Sequence, residues 1–189
     1  KHRRMRGDQG LTLTETMLAI AVGLIVLVAA MRIYPLIEKN QKQQDALVGL
    51  NQLNANIVKA FSTQGNFNGL DNKTAIQMGL VPDVFLTDAS SGKIIGPWSN
   101  NGGGTGGGNV DVKVDPNDQQ AFRITYYNLP LDICLNIASN FLPQNLKAVY
   151  NGNTAIAIDS QSKQKVISIS KQACGTSDPV PSISWALTF

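Results

Sequence analysis

Few side chains in this chain could carry out chemistry. His2 is the only histidine among 189 residues, Cys134 and Cys174 are the only cysteines, and Glu15 is the one carboxylate in an apolar stretch, residues 11–30, LTLTETMLAIAVGLIVLVAA. With one histidine the chain cannot build a multi-histidine metal centre, and a Ser-His-Asp or Cys-His site would have to use His2 itself. Asp132 and Asp159 can be imagined as a carboxylate pair, but nothing in their spacing supports acid–base work. Asp111, Asp115, Asn117 and Asp118 offer oxygen ligands for calcium, yet the glycine-centred spacing and closing glutamate of an EF-hand are missing, so a solvated turn is expected. Residues 100–109, NNGGGTGGGN, have the glycines of an anion-binding loop without the Gly-Lys-Ser/Thr that a Walker loop needs, and read as a surface loop. These residues define no catalytic, cofactor-binding or metal site.

The element that must position Glu15 is a helix. Roughly 20 apolar residues suffice to cross a bilayer, and residues 17–31 carry no charge. Lys1, Arg3, Arg4 and Arg6 crowd the near side and predict a cytoplasmic N-terminus with the bulk of the chain translocated. Ala29 and Ala30 are followed by Met31, Arg32 and Ile33, a poor match to a signal-peptidase site. An ionised carboxylate inside such a helix is costly toward the bilayer centre and cheaper at its edge; in the first turn it also favours the helix dipole. Removing the four basic residues and Asp8 from the 16 basic and 13 acidic residues leaves 12 against 12, so no basic surface argues for nucleic-acid binding. The chain starts at Lys1 without an initiator Met, and a longer leader is expected.

Gly10, then Leu11-Thr12-Leu13-Thr14-Glu15, then an uncharged run behind a basic leader, resembles the class III signal of type IV prepilins. The resemblance implies that a prepilin peptidase cuts between Gly10 and Leu11 on the cytoplasmic side and methylates the new amine of Leu11. It makes Glu15 the fifth mature residue, the assembly glutamate, whose implied partner is the terminal amine of Leu11 on a neighbouring subunit. Such a pair can fix register even where its net stabilisation is small, because either charge buried alone is strongly unfavourable. His2 would leave with the leader, so no enzyme is expected.

Beyond Arg32, Pro35 is expected to kink or interrupt the helix. Residues 38–61 are amphipathic, with Leu47, Leu50, Leu53, Ile57, Val58 and Phe61 at spacings of three and four, a stripe suited to packing on a sheet. Residues 66–71 read as a loop and 73–78 as a short helix stopped by Gly79. Strands are predicted at 93–95, 110–114, 121–127, 148–150, 154–158, 165–170 and 182–188, and a helix at 131–142 between Pro130 and Pro143. The expected fold class is α+β, a helical spine against a mostly antiparallel sheet. Trp98, Trp185, Tyr126 and Tyr127 read as packing aromatics.

Ile76-Gln77-Met78-Gly79-Leu80-Val81-Pro82, Gly96-Pro97-Trp98, and Phe122-Arg123-Ile124 leading through Leu129-Pro130 to Cys134 are similar to type IVb pilins, most of all to PilS-like subunits of thin conjugative and enteric pili. The chain departs from them where Ser99-Asn100-Asn101 precedes the glycines. Two cysteines in an exported domain are most simply read as one disulfide, Cys134 to Cys174, stapling the C-terminal strands to the 131–142 helix. By the resemblance, the segment between them is the D-region, exposed on the fibre. The implied organisation is a leader at 1–10, a spine helix at 11–61 with a transmembrane part at 11–33, and a pilin head at 62–189 bearing the disulfide-bounded region 134–174. The implied function is the major subunit of a type IVb pilus, a homo-oligomeric fibre serving adhesion, aggregation or conjugative mating. Its implied partners are the inner membrane before assembly, the prepilin peptidase, an assembly ATPase, a platform protein, and a receptor on a host or recipient cell. A minor pilin acting as tip adhesin and a type II secretion pseudopilin share the leader and spine and stay as alternatives.

Overall fold

The computed structural model describes residues 12–98, 108–158 and 166–189, without the side chains of Ile33, Pro35, Leu36 and Ala157. The chain divides into two compact units, Lys1–Gln41 and Lys42–Phe189. One helix, α1, Leu13–Phe61, runs through the boundary, so Pro35 does not end it. The proline removes one helical hydrogen bond, a loss that the turns on either side outlast.

In the first unit the described part of α1 is apolar and buries nothing. Met17, Leu18, Ile20, Ile25 and Val26 are each more than half exposed, and the richest 18-residue window has a mean hydropathy of 2.4 with none of it buried. That is long and apolar enough to cross a membrane.

In the second unit the same helix becomes one-sided. Ala46, Leu50, Leu53, Ile57 and Phe61 are buried, a stripe stepping by three and four. It shares one core with the inward residues of the sheet, among them Val112, Phe122, Ile124, Tyr126, Val149, Ile183 and Trp185. The sheet contains β1, Leu86–Asp88; β2, Lys93–Ile95; β3, Asn109–Asp115; β4, Asp118–Leu129; β5, Leu146–Asn151; β6, Thr154–Ala157; and β7, Val180–Leu187. Their order is β1-β2-β3-β4-β7-β5-β6, and every neighbouring pair is antiparallel. The last strand thus enters the middle of the sheet, beside β4, and Ile124, Trp185 and Val149 line up across three strands.

Three local devices hold the smaller elements. Helix α2, Asn72–Gln77, is capped by the Asp71 carboxylate, which accepts the Thr74 N–H at 2.7 Å. Strand β2 pairs with β3 only at Val110 and Asn109, and the Asn72 amide continues the ladder, its Oδ1 accepting the Val112 N–H at 2.7 Å. Gly49 lets the chain before β1 lie against α1: a Cβ there would stand 2.6 Å from Val84 Cγ2 and 2.7 Å from Phe85 Cζ. Helix interiors disfavour glycine, and this close approach is why one sits there.

The region before β7 differs from the sequence expectation. Residues 166–170, read as part of a strand, belong to a helix, α4, Val166–Cys174, while Lys165 lies outside the described residues. The alternation in Val166-Ile167-Ser168-Ile169-Ser170 mimics a strand, but the buried residues are Ile169, Ser170, Ala173 and Cys174, a helical period. They pack on α3, Leu131–Asn140. Strand β1 went unread because three residues of it carry too little pattern.

Candidate functional site

The N-terminus of α1 is organised by a capping box. The Glu15 carboxylate accepts the Thr12 N–H at 2.9 Å and the Thr12 hydroxyl at 3.0 Å, and the Thr12 Oγ1 faces the Glu15 N–H at 3.4 Å. The signal for it, a Thr with a Glu three residues on, was in the sequence and passed over in favour of a partner on another subunit. Glu15 is exposed along with the apolar side chains around it. Its carboxylate is therefore held by its own first turn, with one oxygen, Oε2, taking both bonds from Thr12. Gly10 and Leu11 lie outside the described residues, as do Asp159 and residues 99–107 of the glycine loop.

The second feature is the disulfide between Cys134 and Cys174, Cα atoms 5.9 Å apart, closing a loop with a sequence separation of 40. It joins α3 to α4, helix to helix, rather than a helix to the C-terminal strands, because the segment before Cys174 is itself helical. Both sulfurs are buried. The α3 N-terminus, preceded by Pro130 with no side chain to cap it, receives the Asp178 carboxylate on the Leu131 N–H at 3.1 Å. The chain that leads into β7 thus secures α3 from outside the disulfide loop.

The aspartates weighed as calcium ligands are used in ion pairs. Asp115, buried rather than solvated, accepts from Arg123 Nη2 at 2.9 Å; Asp118 pairs with Lys147 at 2.7 Å; Asp111 lies 3.4 Å from Lys113. The Asp118 carboxyl is held below its usual range by the Lys147 hydrogen bond, and the Lys147 ammonium is raised in turn. Among the described residues no three histidines, cysteines or carboxylates gather as a metal site. Arg123 also stacks over Tyr150, its Cζ 3.8 Å from the ring centroid, an arrangement that sequence reasoning missed because the two residues meet only through β7. Tyr126 and Trp185 are fully buried, and burial pushes the Tyr126 hydroxyl well above its ordinary range.

An apolar helix with a capped acidic first turn, followed by an antiparallel sheet whose flanking helices are joined by one disulfide, is the type IV pilin fold. The Bundlin family model matches residues 37–187, and the model of the prokaryotic N-terminal methylation motif matches residues 5–31. The chain belongs to the Bundlin family. Among solved structures, the crystal structure of a type IV b pilin from Salmonella typhi superposes with a TM-score of 0.51 at 15% identity, covering 76% of this chain and 98% of that one, a likeness of fold. No curated protein sequence matches the chain. The family is one of structural proteins, and the methylation-motif match takes in Gly10, Leu11 and Glu15.

Proposed function

We propose that this chain is the major structural subunit of a type IVb pilus. It enters the inner membrane as a prepilin with its N-terminus in the cytoplasm and its head in the periplasm. A prepilin peptidase removes residues 1–10, cutting after Gly10, and Leu11 becomes the N-methylated mature terminus. Residues 11–33 then hold the subunit in the membrane until the spine, residues 11–61, joins the core of a growing fibre driven by an assembly ATPase on a platform protein. Residues 62–189 form the head on the fibre surface. The single observation that carries this reading is the apolar stretch of α1, unburied among the described residues and lying within the matched methylation motif: such a segment needs lipid first and other copies of itself afterwards. Without the neighbouring amine the capped Glu15 would have no counter-charge in an apolar fibre core, which gives that pairing its place in assembly.

Sheared surface material from producing cells tests the proposal. N-terminal sequencing is expected to begin at Leu11 with a methylated residue, and this chain is expected to dominate the protein of the fibres. Glu15→Ala is expected to be cleaved normally and to yield no fibres. A mature chain that retains Lys1 to Gly10, or abundant fibres from Glu15→Ala, would refute it. A trace amount confined to fibre tips would instead support a minor, adhesive subunit.

A further inference from the structure

We propose that the fibre is also held by a head-to-head contact between copies, in which Leu86 of one subunit seats in a groove beside Lys59 of the next; this rests on the pilus reading above. The groove, about 420 Å³, is lined by Asn54, Ala55, Val58 and Lys59 of α1, with Asn145 and Phe189 opposite. Its floor is fixed in advance. The Asn54 and Asn145 amides exchange two hydrogen bonds of 3.1 Å, Asn145 also donates to the Thr188 carbonyl at 2.7 Å, and Phe189 stacks on Phe67 with centroids 4.4 Å apart. A preformed, mainly apolar groove with one cation on its rim fits an apolar side chain that stands next to an acid.

Two large apolar side chains of the second unit stand far out of it, Leu86 at 70% and Ile167 at 71% exposed. Charge separates them. Ile167 has Lys171 one turn further along the exposed face of α4 and would bring like charge to Lys59. Leu86 has exposed Asp83 three residues before it and Asp88 two residues after it, with Lys93 across the ladder from Asp88, and Val84, two residues before it, is also exposed.

A subunit cannot fill its own groove. Asn54 reaches Asn145 on the groove side of α1, whereas Asn56 donates to the Leu80 carbonyl on the side that leads to β1. Two residues are about 200° apart around a helix, so knob and groove lie on opposite flanks of α1. Two different patches that complement each other across copies make a heterologous contact, which propagates when its rotation does not close. A filament is what such a pair of patches builds.

Cross-linking in whole fibres tests this. The native cysteines are bonded to each other, so introduced thiols react alone. With Leu86→Cys and Ala55→Cys in the same chain, a short bismaleimide is expected to convert sheared fibres into a ladder of covalent multimers, and neither change alone is expected to do so. Cross-linking by Leu86→Cys alone would show like patches meeting, and fibres of the double variant without a ladder would show the groove unoccupied by Leu86; each overturns the proposal and leaves the pilus reading standing. Failure of the unaltered chain to form fibres would overturn both. Independently of the cysteines, Asp83→Lys and Lys59→Asp are each expected to lower fibre yield several-fold and, combined, to restore it; a combined variant no better than the single ones overturns the contact.

Discussion

Asp115→Ala isolates the most deeply placed charge among the described residues. The Arg123 guanidinium is 10% exposed and the Asp115 side chain 4%, and the bond between them is 2.9 Å. Among the described residues, Asp115 and the Tyr150 ring are what stabilises that cation. The same carboxylate accepts the Asn117 N–H at 2.8 Å where the chain turns from β3 into β4. Truncation to Ala therefore leaves a nearly buried cation without its counter-charge and a turn without its anchor, a loss of about 3–5 kcal/mol. At about 2–4 °C per kcal/mol for a unit of this size, the melting temperature should fall by about 6–20 °C. Removing both charges should cost much less, because apolar side chains of similar volume often replace a buried pair with little loss: Asp115→Leu with Arg123→Met is expected to recover most of the deficit, short of the cation–π contact with Tyr150. The assay is thermal unfolding of the whole detergent-solubilised chain followed by near-ultraviolet circular dichroism, which reports the packing of Trp185. A single variant that melts within about 2 °C of the parent, on the same scale of degrees per kcal/mol, or a double variant no more stable than the single one, would refute the assignment. With these aspartates paired, millimolar calcium should leave the transition where it is.

Removal of the disulfide by Cys134→Ser with Cys174→Ser should destabilise the head by about 4 kcal/mol, the entropy of closing a loop of about 40 residues; chemical unfolding of oxidised and substituted chains measures it, and a difference below about 1 kcal/mol would mean that α3 and α4 hold each other without the bridge, as ordinary core packing can. Glu15→Gln keeps an oxygen to accept the Thr12 N–H and removes the charge, so it is expected to leave the start of α1 intact and to abolish fibres as Glu15→Ala does; normal fibres from Glu15→Gln would reduce Glu15 to a helix cap. The Asp88 carboxyl, bonded by the Ser90 and Ser91 hydroxyls, is lowered to about 2. Its folded value lies below its unfolded one, so its contribution is complete above about pH 4 and disappears as the pH falls through about 2. Asp88→Asn should be less stable than the parent at neutral pH and converge with it on acidification, and a carbon-detected NMR titration showing an ordinary aspartate midpoint would contradict this.

The spine and most of the sheet could be read from sequence because their signals are local. Leu50, Leu53 and Ile57 announce a helix by spacing alone, and β2 was bounded residue for residue. Other strands ran longer than their patterns: β4 begins at Asp118, where polar residues join the ladder only because β3 stands beside them. The failure at α4 has the same origin. Val166 to Ser170 satisfies the strand template as well as the helical one, and the choice falls to α3, whose Ile133, Cys134, Ile137 and Ala138 present a surface that a helix can cover and bond to at Cys174. A helix joined to them through a disulfide with a sequence separation of 40 decided the structure of five.

The same distinction governs the site. Thr12 and Glu15 find each other across one turn, so a single sequence motif specifies the cap, whereas the charge pair assigned to Glu15 requires a second copy of the chain and a cleaved terminus. On the proposed reading the two uses are successive rather than competing. While the helix lies alone, Thr12 occupies Glu15 Oε2 and keeps the acid satisfied at the helix start. A carboxylate has two oxygens and about four acceptor positions, so an amine arriving from a neighbour can bind without dismissing the cap. In the proposed assembly a partner would be added to a carboxylate already held in place, which lowers the ordering cost of forming the pair. Thr12→Val should therefore weaken fibre assembly while leaving Glu15 in place, and fibre yield from that variant equal to the parent would show that the cap contributes nothing to presenting the acid.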